Sequence, residues 1–478
     1  MPRTFRTLAA VMISVLVSTG TQGLPRSRAR DSMNPRAIPA YGWPGSGLPL
    51  AAALAPDGRR VAVLAILPPA SLGAGPFPLA VQIWDTAELK LLATREISVP
   101  PRKSSSPDRD IAPLGCFVRY AGNGAFLVVS EGGARERSDS ENSFVSESDA
   151  RVHILAAADL REMRSIDLEL SPDPTVYEPV DIQVSGDRMA VALSPIDLMM
   201  SLGAGATCKA FQGSEVRVYD LGSGRMLWKA PFETARIGGV GWAPDGSRLA
   251  LTLQSAQEAD TSSRGAFCPE PRIGNNLLIL DSASGGALRG ISTGDLAGPV
   301  CFGSLNEVLT ASFHFFYGNT SGEKVKVWNA QTGALERTIA YPGRDVHDLL
   351  ALSRDGSVLV GYIGKEKFGY SWHAMADMAE NVDEKFAIWD ARTGTLLRTS
   401  PSLVPLTHPG KRAIPKEENG WLPPPFRQLS DLVMHLEGNP EKPQLQLAAD
   451  GSKILVSWKW RGAPLIFDVP DAGTAHPK

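Results

Sequence analysis

Apolar and polar residues alternate along much of the chain, and a period of two predicts β-strands rather than helices. The alternation is clearest in EVRV at 215–218 and in KVKV at 324–327. Short segments rich in Gly, Asp and Ser separate these strands, which is typical of tight turns. The pattern therefore predicts an all-β chain with many short connections.

A turn of the form Asp-Gly lies between two strand-like runs in four places. Asp caps such a turn through its side chain, and Gly adopts a positive φ without a Cβ clash, so each copy predicts a hairpin of two consecutive strands. The copies are APDGRRVAVLA at 55–65, APDGSRLALTL at 243–253, SRDGSVLVGY at 353–362 and AADGSKILVSW at 448–458.

A second phrase follows these hairpins, an alternating strand that usually ends in a large apolar residue and Asp. Small-residue turns such as DLGSG and DARTG follow several copies and predict a further strand. The copies are AVQIWD at 80–85, EVRVYD at 215–220, NLLILD at 276–281, KVKVWN at 324–329, KFAIWD at 385–390, PLIFD at 464–468 and a weaker RVHIL at 151–155. Seven copies predict seven repeating units.

These two phrases resemble the WD-repeat family, in which S-P-D-G precedes the second strand and W-D-x-x-T-G ends the third. The resemblance implies one β-propeller of seven four-stranded blades, with the aromatic residue of the third strand packed between blades. The typical Gly-His pair is absent, and the turns at 122–124, 185–187 and 303–306 are eroded, which indicates a divergent member. The matching positions are Trp84, Asp85, Tyr219, Asp220, Leu280, Asp281, Trp328, Asn329, Trp389, Asp390, Phe467 and Asp468.

The first 23 residues have the three parts of a secretory signal: basic Arg3 and Arg6, an apolar stretch, and a small, polar end. The apolar stretch is shorter than the about 20 residues that a membrane-spanning helix needs. We expect a cleaved signal peptide at 1–23, a flexible leader at 24–36 and a secreted or periplasmic protein that is not inserted in a membrane.

The propeller is predicted to span 37–470, with a tail at 471–478. The last blade lacks a fourth strand at its C-terminal end, so residues 37–43 are expected to supply it, because an open sheet edge promotes aggregation. An insertion at 400–443 interrupts the last two blades, and apolar residues at helical spacing predict a small helix at 426–437.

Charge and motifs exclude several function classes. The chain has 48 basic and 51 acidic residues, so no strong positive field favours nucleic acid. It contains no G-x-S-x-G, Walker A, dinucleotide-binding or haem-attachment motif, and its seven histidines are scattered. We therefore predict no catalytic residue, metal ligand or cofactor. The alternative is a periplasmic enzyme or redox-associated propeller with a site from distant blades, similar to quinoprotein dehydrogenase chains.

The four cysteines divide into two pairs. Cys208 and Cys268 precede the third strands of neighbouring blades at similar distances, and we predict a disulfide between them. Cys116 and Cys301 belong to blades two and five, which are not adjacent, so two buried thiols are expected.

Long connections between second and third strands should all emerge on one side of the disc, which predicts a binding face there. Two of them carry clustered aromatic residues, the usual anchors of interfaces, although these residues could also pack within their own loops. We expect a monomeric, non-catalytic interaction module for a protein or peptide. The connections are 67–78, 131–149, 195–213, 254–274, 313–323 and 362–384, and the anchors are Phe315, Phe316, Tyr317, Tyr370, Trp372 and His373.

Overall fold

A computed structural model provides the structure of the protein. It describes residues 33, 35–39, 48–67, 79–97, 109–110, 115–138, 143–170, 177–195, 213–233, 235–255, 276–294, 297–312, 324–340, 345–364, 366–367, 380–381, 385–401, 443–458 and 463–469.

Seven antiparallel blades of four strands form a propeller, as the repeats predicted. Blades one to three contain β2 (Leu48–Leu54), β3 (Arg60–Ile66), β4 (Leu79–Asp85) and β5 (Leu91–Ile97); β7 (Phe117–Ala121), β8 (Phe126–Ser138), β9 (Ser143–Ala156) and β10 (Glu162–Leu168); and β11 (Tyr177–Ser185), β12 (Arg188–Pro195), β13 (Ser214–Asp220) and β14 (Met226–Phe232). Blades four and five contain β15 (Ala235–Trp242), β16 (Arg248–Ser255), β17 (Leu277–Asp281) and β18 (Ala287–Ile291); and β19 (Ala297–Phe302), β20 (Glu307–Ser312), β21 (Lys324–Asn329) and β22 (Leu335–Ala340). Blades six and seven contain β23 (Asp345–Leu352), β24 (Val358–Gly364), β27 (Lys385–Asp390) and β28 (Leu396–Thr399); and β29 (Pro443–Leu447), β30 (Lys453–Trp458), β31 (Leu465–Asp468) and β1 (Arg36–Ala37).

Three short strands and one helical turn accompany the blades. They are β6 (Arg109–Asp110), β25 (Glu366–Lys367), β26 (Glu380–Asn381) and a 3-10 turn at Gly122–Gly124. The described part of the chain contains no helix long and apolar enough to cross a membrane.

The first strands of successive blades contact one another around the ring. In blades one to six, the turns from first to second strand and from third to fourth strand lie at one end of the sheet, and the connection from second to third strand lies at the other. Blade seven has only the first of these turns, because its fourth strand is β1. We call these two sides of the disc the turn face and the loop face.

The core lies between neighbouring blades. Trp84 of blade one packs with Leu455 of blade seven, and Trp389 of blade six packs with Leu309 of blade five. Both tryptophans are buried, as are the corresponding Tyr219, Leu280, Trp328 and Phe467. Aromatic residues at this position bury much apolar area and hold each blade against the preceding one.

The N-terminal strand β1 closes the ring as the fourth strand of blade seven. Arg36 lies opposite Ile466, Ala37 lies opposite Leu465, and the backbone N–H of Ile38 donates to the carbonyl of Pro464 at 2.8 Å. The strand thus begins one residue before the range that the sequence suggested and pairs over two residues. Blade seven is therefore built from both ends of the described propeller.

A set of five hydrogen bonds, at five of the seven joints between blades, ties the outer strand of one blade to the turn that follows the third strand of the next blade. We call it the outer latch. Its bonds are Arg95 Nη1 to the Leu160 carbonyl (2.9 Å), Arg164 Nη1 to Ser223 (2.8 Å), Trp228 Nε1 to Ser282 (2.8 Å), Arg337 Nη2 to Ala391 (2.7 Å) and Arg36 Nη1 to Thr86 (2.7 Å). Arg36 thus makes the same bond at the closure that other blades make within the ring.

Two connections that the sequence indicated as loops contain β-structure. Residues 131–149 belong largely to a hairpin of β8 and β9, and the connection at 362–384 contains the paired strands β25 and β26. The sequence at 131–149 is polar and rich in Ser and Gly, and the strands β25 and β26 consist of Glu-Lys and Glu-Asn, so apolar alternation could not reveal them. The backbone ladder that stabilises them does not depend on apolar side chains. The helix predicted at 426–437 and the predicted signal peptide lie outside the described residues.

Candidate functional site at the base of the blade-two hairpin

The acidic residues of the turn face are occupied in holding their own turns. Asp220 accepts hydrogen bonds from the backbone N–H and the hydroxyl of Ser223, both at 2.6 Å, and Asp390 accepts from the N–H of Arg392 and of Thr393. The repeat positions Asp85 and Asp281 cap their turns in the same way, as does Asn329. These residues therefore stabilise turns.

Six aspartates of these turns and of the closure have pKa values below the ordinary value, and we call them the turn aspartates. Hydrogen bonds are the largest cause at Asp220, Asp245 and Asp281, where serine side chains and backbone N–H groups stabilise the carboxylate. Partial burial is the largest influence on the other three and acts to raise the pKa, but hydrogen bonds and positive neighbours outweigh it. These three are Asp355, Asp450 and Asp468.

The loop face carries a hairpin on blade two that is longer than any neighbouring pair of strands. Its strands have 13 and 14 residues, whereas the second strands of the other blades have 6 to 8. The outer strand β10 ends opposite Ala150, which lies opposite Gly132. Residues 133–138 continue β8 beyond that point by about 20 Å, at roughly 3.4 Å per residue.

A line of charged side chains runs from the base of this hairpin through the joint between blades one and two. His153 Nε2 lies 3.2 Å from Glu131 Oε1, and His153 Nδ1 lies 3.3 Å from Glu162 Oε1. Arg95 of blade one donates to Glu162 Oε2 at 3.0 Å and to the Leu160 carbonyl at 2.9 Å. These contacts connect Glu131, His153 and Glu162 of blade two with Arg95 of blade one.

The line is deeply buried at its centre. The side chains of His153 and Glu131 are 6% and 7% exposed, and Glu131 Oε2 has no hydrogen-bond partner. Arg151, which lies opposite Glu131 in the ladder, pairs with Asp167, and that hydrogen bond is the largest cause of its raised pKa. Burying a carboxylate is costly unless a charged or hydrogen-bonding group faces it. His153 at 3.2 Å and Arg151 on the opposite strand face Glu131, but neither His153 Nε2 nor Glu131 Oε2 makes a hydrogen bond, so the compensation is electrostatic only.

This arrangement favours a structural role over metal binding or catalysis. The two ring nitrogens of His153 face carboxylates on opposite sides, so the three groups do not converge on one ion. No cluster of three His, Cys, Asp or Glu suited to a metal occurs among the described residues. His153 and Glu131 are buried, and the cluster connects the base of the hairpin to the joint between blades one and two.

A half-buried ion pair joins the first strands of blades two and three. Arg119 Nη2 lies 3.4 Å from Asp181 Oδ1, and Gln183 donates to both oxygens of Asp181 at 3.1 Å. Burial lowers the pKa of Arg119 and raises that of Asp181, because each charge loses water. The donors and acceptors of this group satisfy one another and connect the two blades.

The residues predicted to form the disulfide and the aromatic binding face lie outside the described part of the chain. They are Cys208, Cys268, Phe315, Phe316, Tyr317, Tyr370, Trp372 and His373. Cys116 is buried in the core between blades one and two, and burial raises the pKa of the half-buried Cys301 to about 12. Two buried thiols were expected; Cys116 is buried, whereas Cys301 is only half-buried.

The cluster around His153 was not recognised in the sequence. Glu131 and His153 lie 22 positions apart, and the scattered histidines showed no metal spacing. The signal that could have found them is register: pairing β8 with β9 places Glu131 opposite Arg151, two residues from His153.

Comparisons with protein-family models and with curated proteins find no match to this chain.

Proposed function

We propose that this chain is a non-catalytic, extracytoplasmic propeller of the WD-repeat type that binds a protein or peptide partner on its loop face. The observation that carries the proposal is the blade-two hairpin, which extends about 20 Å beyond its own outer strand. Ordering a long connection costs entropy, so an enlarged element on one face favours a contact function there.

The opposite face supports the same assignment by its chemistry. Five of the six turn aspartates are engaged in hydrogen bonds with residues two or three positions away, and the outer latch uses carbonyl groups of turns on the same face. Carboxylates and carbonyls that already accept hydrogen bonds within the fold are less available to bind a partner. The loop face is therefore the better candidate for recognition.

The WD-repeat assignment draws support from the equivalent positions of its residues. Gly58, Gly246, Gly356 and Gly451 of the Asp-Gly turns all have positive φ. The indole of Trp328 donates to Thr310 on the neighbouring strand at 3.0 Å. The same turn conformation in blades one, four, six and seven favours descent from one repeated unit.

Export follows from the signal-like segment at 1–23, and an exported protein would permit the Cys208–Cys268 disulfide. Mass spectrometry of the secreted or periplasmic protein should find an N-terminus between about residues 20 and 26. Peptide mapping without reductant should find the two cysteines linked. An intact Met1 on a cytosolic protein would contradict the export proposal.

The binding proposal is tested by shortening the hairpin. Residues 134–148 are replaced by Asn-Gly, which joins the paired positions Gly133 and Asp149 by a two-residue turn. We expect this variant to fold and to lose partners captured from envelope extracts. A second variant replaces four of the six predicted anchors, Phe316, Tyr317, Tyr370 and Trp372, by Ser.

The control alters the turn face, with Glu88→Lys on an exposed turn of blade one. It should retain every partner. If the shortened and the anchor variants also retain every partner while folded, the loop face is not the working surface. A purified protein that carries a metal or absorbs visible light would instead support the enzyme or redox alternative.

A further inference from the structure

Two turns on opposite sides of the ring contact each other across the turn face. We call the turn between the first and second strand of a blade its first turn. Arg354 in the first turn of blade six donates from Nη1 to Asn123 Oδ1 in the first turn of blade two, at 3.0 Å. In a ring of seven, blades two and six are three steps apart, which is the greatest separation possible. The hydrogen bond therefore crosses the centre of the turn face.

Both turns depart from the repeat at the positions that make this contact. The residue before Asp-Gly is Pro56, Pro244 or Ala449 in the turns of blades one, four and seven, and only Arg354 is a long, charged residue there. The turn of blade two has no Asp-Gly, and its three residues Gly122–Gly124 all have positive φ. The contact thus depends on features that the repeat itself does not supply.

Backbone hydrogen bonds join the neighbouring first turns between blades six and one. The N–H of Arg354 donates to the Ala449 carbonyl at 3.1 Å, and the N–H of Ala449 donates to the Pro56 carbonyl at 2.9 Å. Among the first turns that the structure describes, no other neighbouring pair is joined by a backbone hydrogen bond. A Cβ on Gly124 would lie 3.4 Å from Pro56, so the turn of blade two lies against that of blade one. The first turns of blades six, seven, one and two therefore form a closed circuit of contacts.

This circuit spans the joint between blades seven and one, where the two ends of the propeller meet. The backbone connects blade one to blade seven through β1, which pairs with β31 over two residues at the outer edge. The bond between blades six and two bridges the same joint at the centre of the turn face. Opening of the joint would move blade six away from blade two and would break this bond.

We propose that Arg354 and Asn123 form a strap that holds the ring closed when β1 leaves blade seven. Release of β1 is then a local opening, in which β31 loses its partner strand but blade seven keeps its place between blades six and one. A single exposed hydrogen bond contributes little to stability by itself, so the strap acts mainly when the first closure is weakened. The proposal concerns the closure of the ring and does not depend on the proposed binding function.

Hydrogen exchange of the full-length protein, measured by mass spectrometry of its peptides, tests the strap. Arg36→Met weakens the closure by β1, and Arg354→Ala removes the strap. We expect Arg354→Ala alone to change the exchange of β29 and β30 by less than about 2-fold, and Arg36→Met alone to accelerate exchange mainly in β31. The double variant should accelerate exchange in β29 and β30 at least about 10-fold, because only then is blade seven free to leave the ring.

A matched control removes another exposed arginine from a first turn. Arg59 lies on the turn of blade one, and R36M/R59A should exchange like Arg36→Met alone. If R36M/R354A exchanges no faster than this control, or no faster than the product of the two single effects, the strap does not close the ring and the proposal is wrong.

Two further variants test the contact itself and give a result even if R36M/R354A does not fold. Asn123→Asp should slow exchange of β29 and β30 at least about 2-fold in the Arg36→Met background, because a carboxylate accepts a stronger hydrogen bond from Arg354. In N123D/R354K a carbodiimide should link positions 123 and 354, whereas N123D alone should give no such product. Absence of the cross-link, or exchange that is unchanged or faster with Asn123→Asp, would overturn the proposal.

Discussion

Gly356 lies in the Asp-Gly turn of blade six, where its backbone meets the turn of blade five. Its φ is +70°, and a Cβ atom at this position would lie 1.8 Å from the carbonyl oxygen of Gly303. Gly186 holds the corresponding turn of blade three with a φ of +60°, and a Cβ there would have no neighbour within 4 Å. The pair thus shares backbone conformation and differs in the space available.

The substitutions Gly356→Ala and Gly186→Ala should therefore destabilise the protein to different extents. Both force a side chain into the left-handed region, which costs about 1 to 2 kcal/mol. Gly356→Ala must also push two turns apart, and overpacking of this kind adds about 1 to 3 kcal/mol. We expect a total loss of about 2 to 5 kcal/mol for Gly356→Ala and about 1 to 2 kcal/mol for Gly186→Ala.

Urea unfolding followed by tryptophan fluorescence measures the difference, since the chain has ten tryptophans. The free energy of unfolding is compared for the wild type and both variants at one temperature and pH. Equal losses for the two variants would refute the close approach of the turns of blades five and six. A loss at Gly186 above that at Gly356 would contradict the steric argument altogether.

Three further predictions concern charge. Arg36→Met should lower the free energy of unfolding by about 2 to 3 kcal/mol, because it removes the latch bond and a partly exposed ion pair with Asp468. Lys453 contacts the same carboxylate, but Lys453→Met should cost under about 1 kcal/mol, so similar losses in urea unfolding would argue against the closure role of Arg36. The turn aspartates have lowered pKa values in the folded state, so their contribution to the free energy of unfolding is complete above about pH 4 and is lost as pH falls through the folded pKa values. Asp220→Asn should therefore reduce proton uptake on acid unfolding, and an unchanged uptake would contradict the lowered pKa of Asp220. His153→Phe should lower the free energy of unfolding by about 3 to 5 kcal/mol, because Glu131 then faces an apolar ring. The double variant with Glu131→Leu should recover most of that loss, and a double-mutant cycle without recovery would count against the pairing of His153 with Glu131.

Local sequence was sufficient to predict the blades, because each blade consists of hairpins whose turns carry their own chemistry. Asp245-Gly246 supplies a cap and a positive φ within four residues, and Asp220 binds groups only three positions away. Apolar alternation then determines which face of each strand is buried. Seven repetitions of such local rules were enough to predict the number of blades.

The hairpin of blade two and the cluster at its base depended on tertiary structure instead. The sequence of the hairpin is polar, so no apolar pattern identifies its strands. They form through backbone pairing, which requires that the two segments lie side by side. His153, Glu131 and Glu162 belong to three strands, and Arg95 belongs to another blade. No spacing in the sequence encodes their approach.

The closure of the ring was also predictable only in part from the sequence. A missing fourth strand in blade seven could be inferred from the sequence, because an unpaired edge is unfavourable. The position of that strand, Arg36–Ala37, was decided by the Arg36 side chain, which reaches Asp468 on one blade and the Thr86 carbonyl on the next. The sequence alone determined that the repeats form blades. A contact between residues 432 positions apart decided how the ring is closed, and contacts between residues 62 and 67 positions apart decided which charged groups lie between blades.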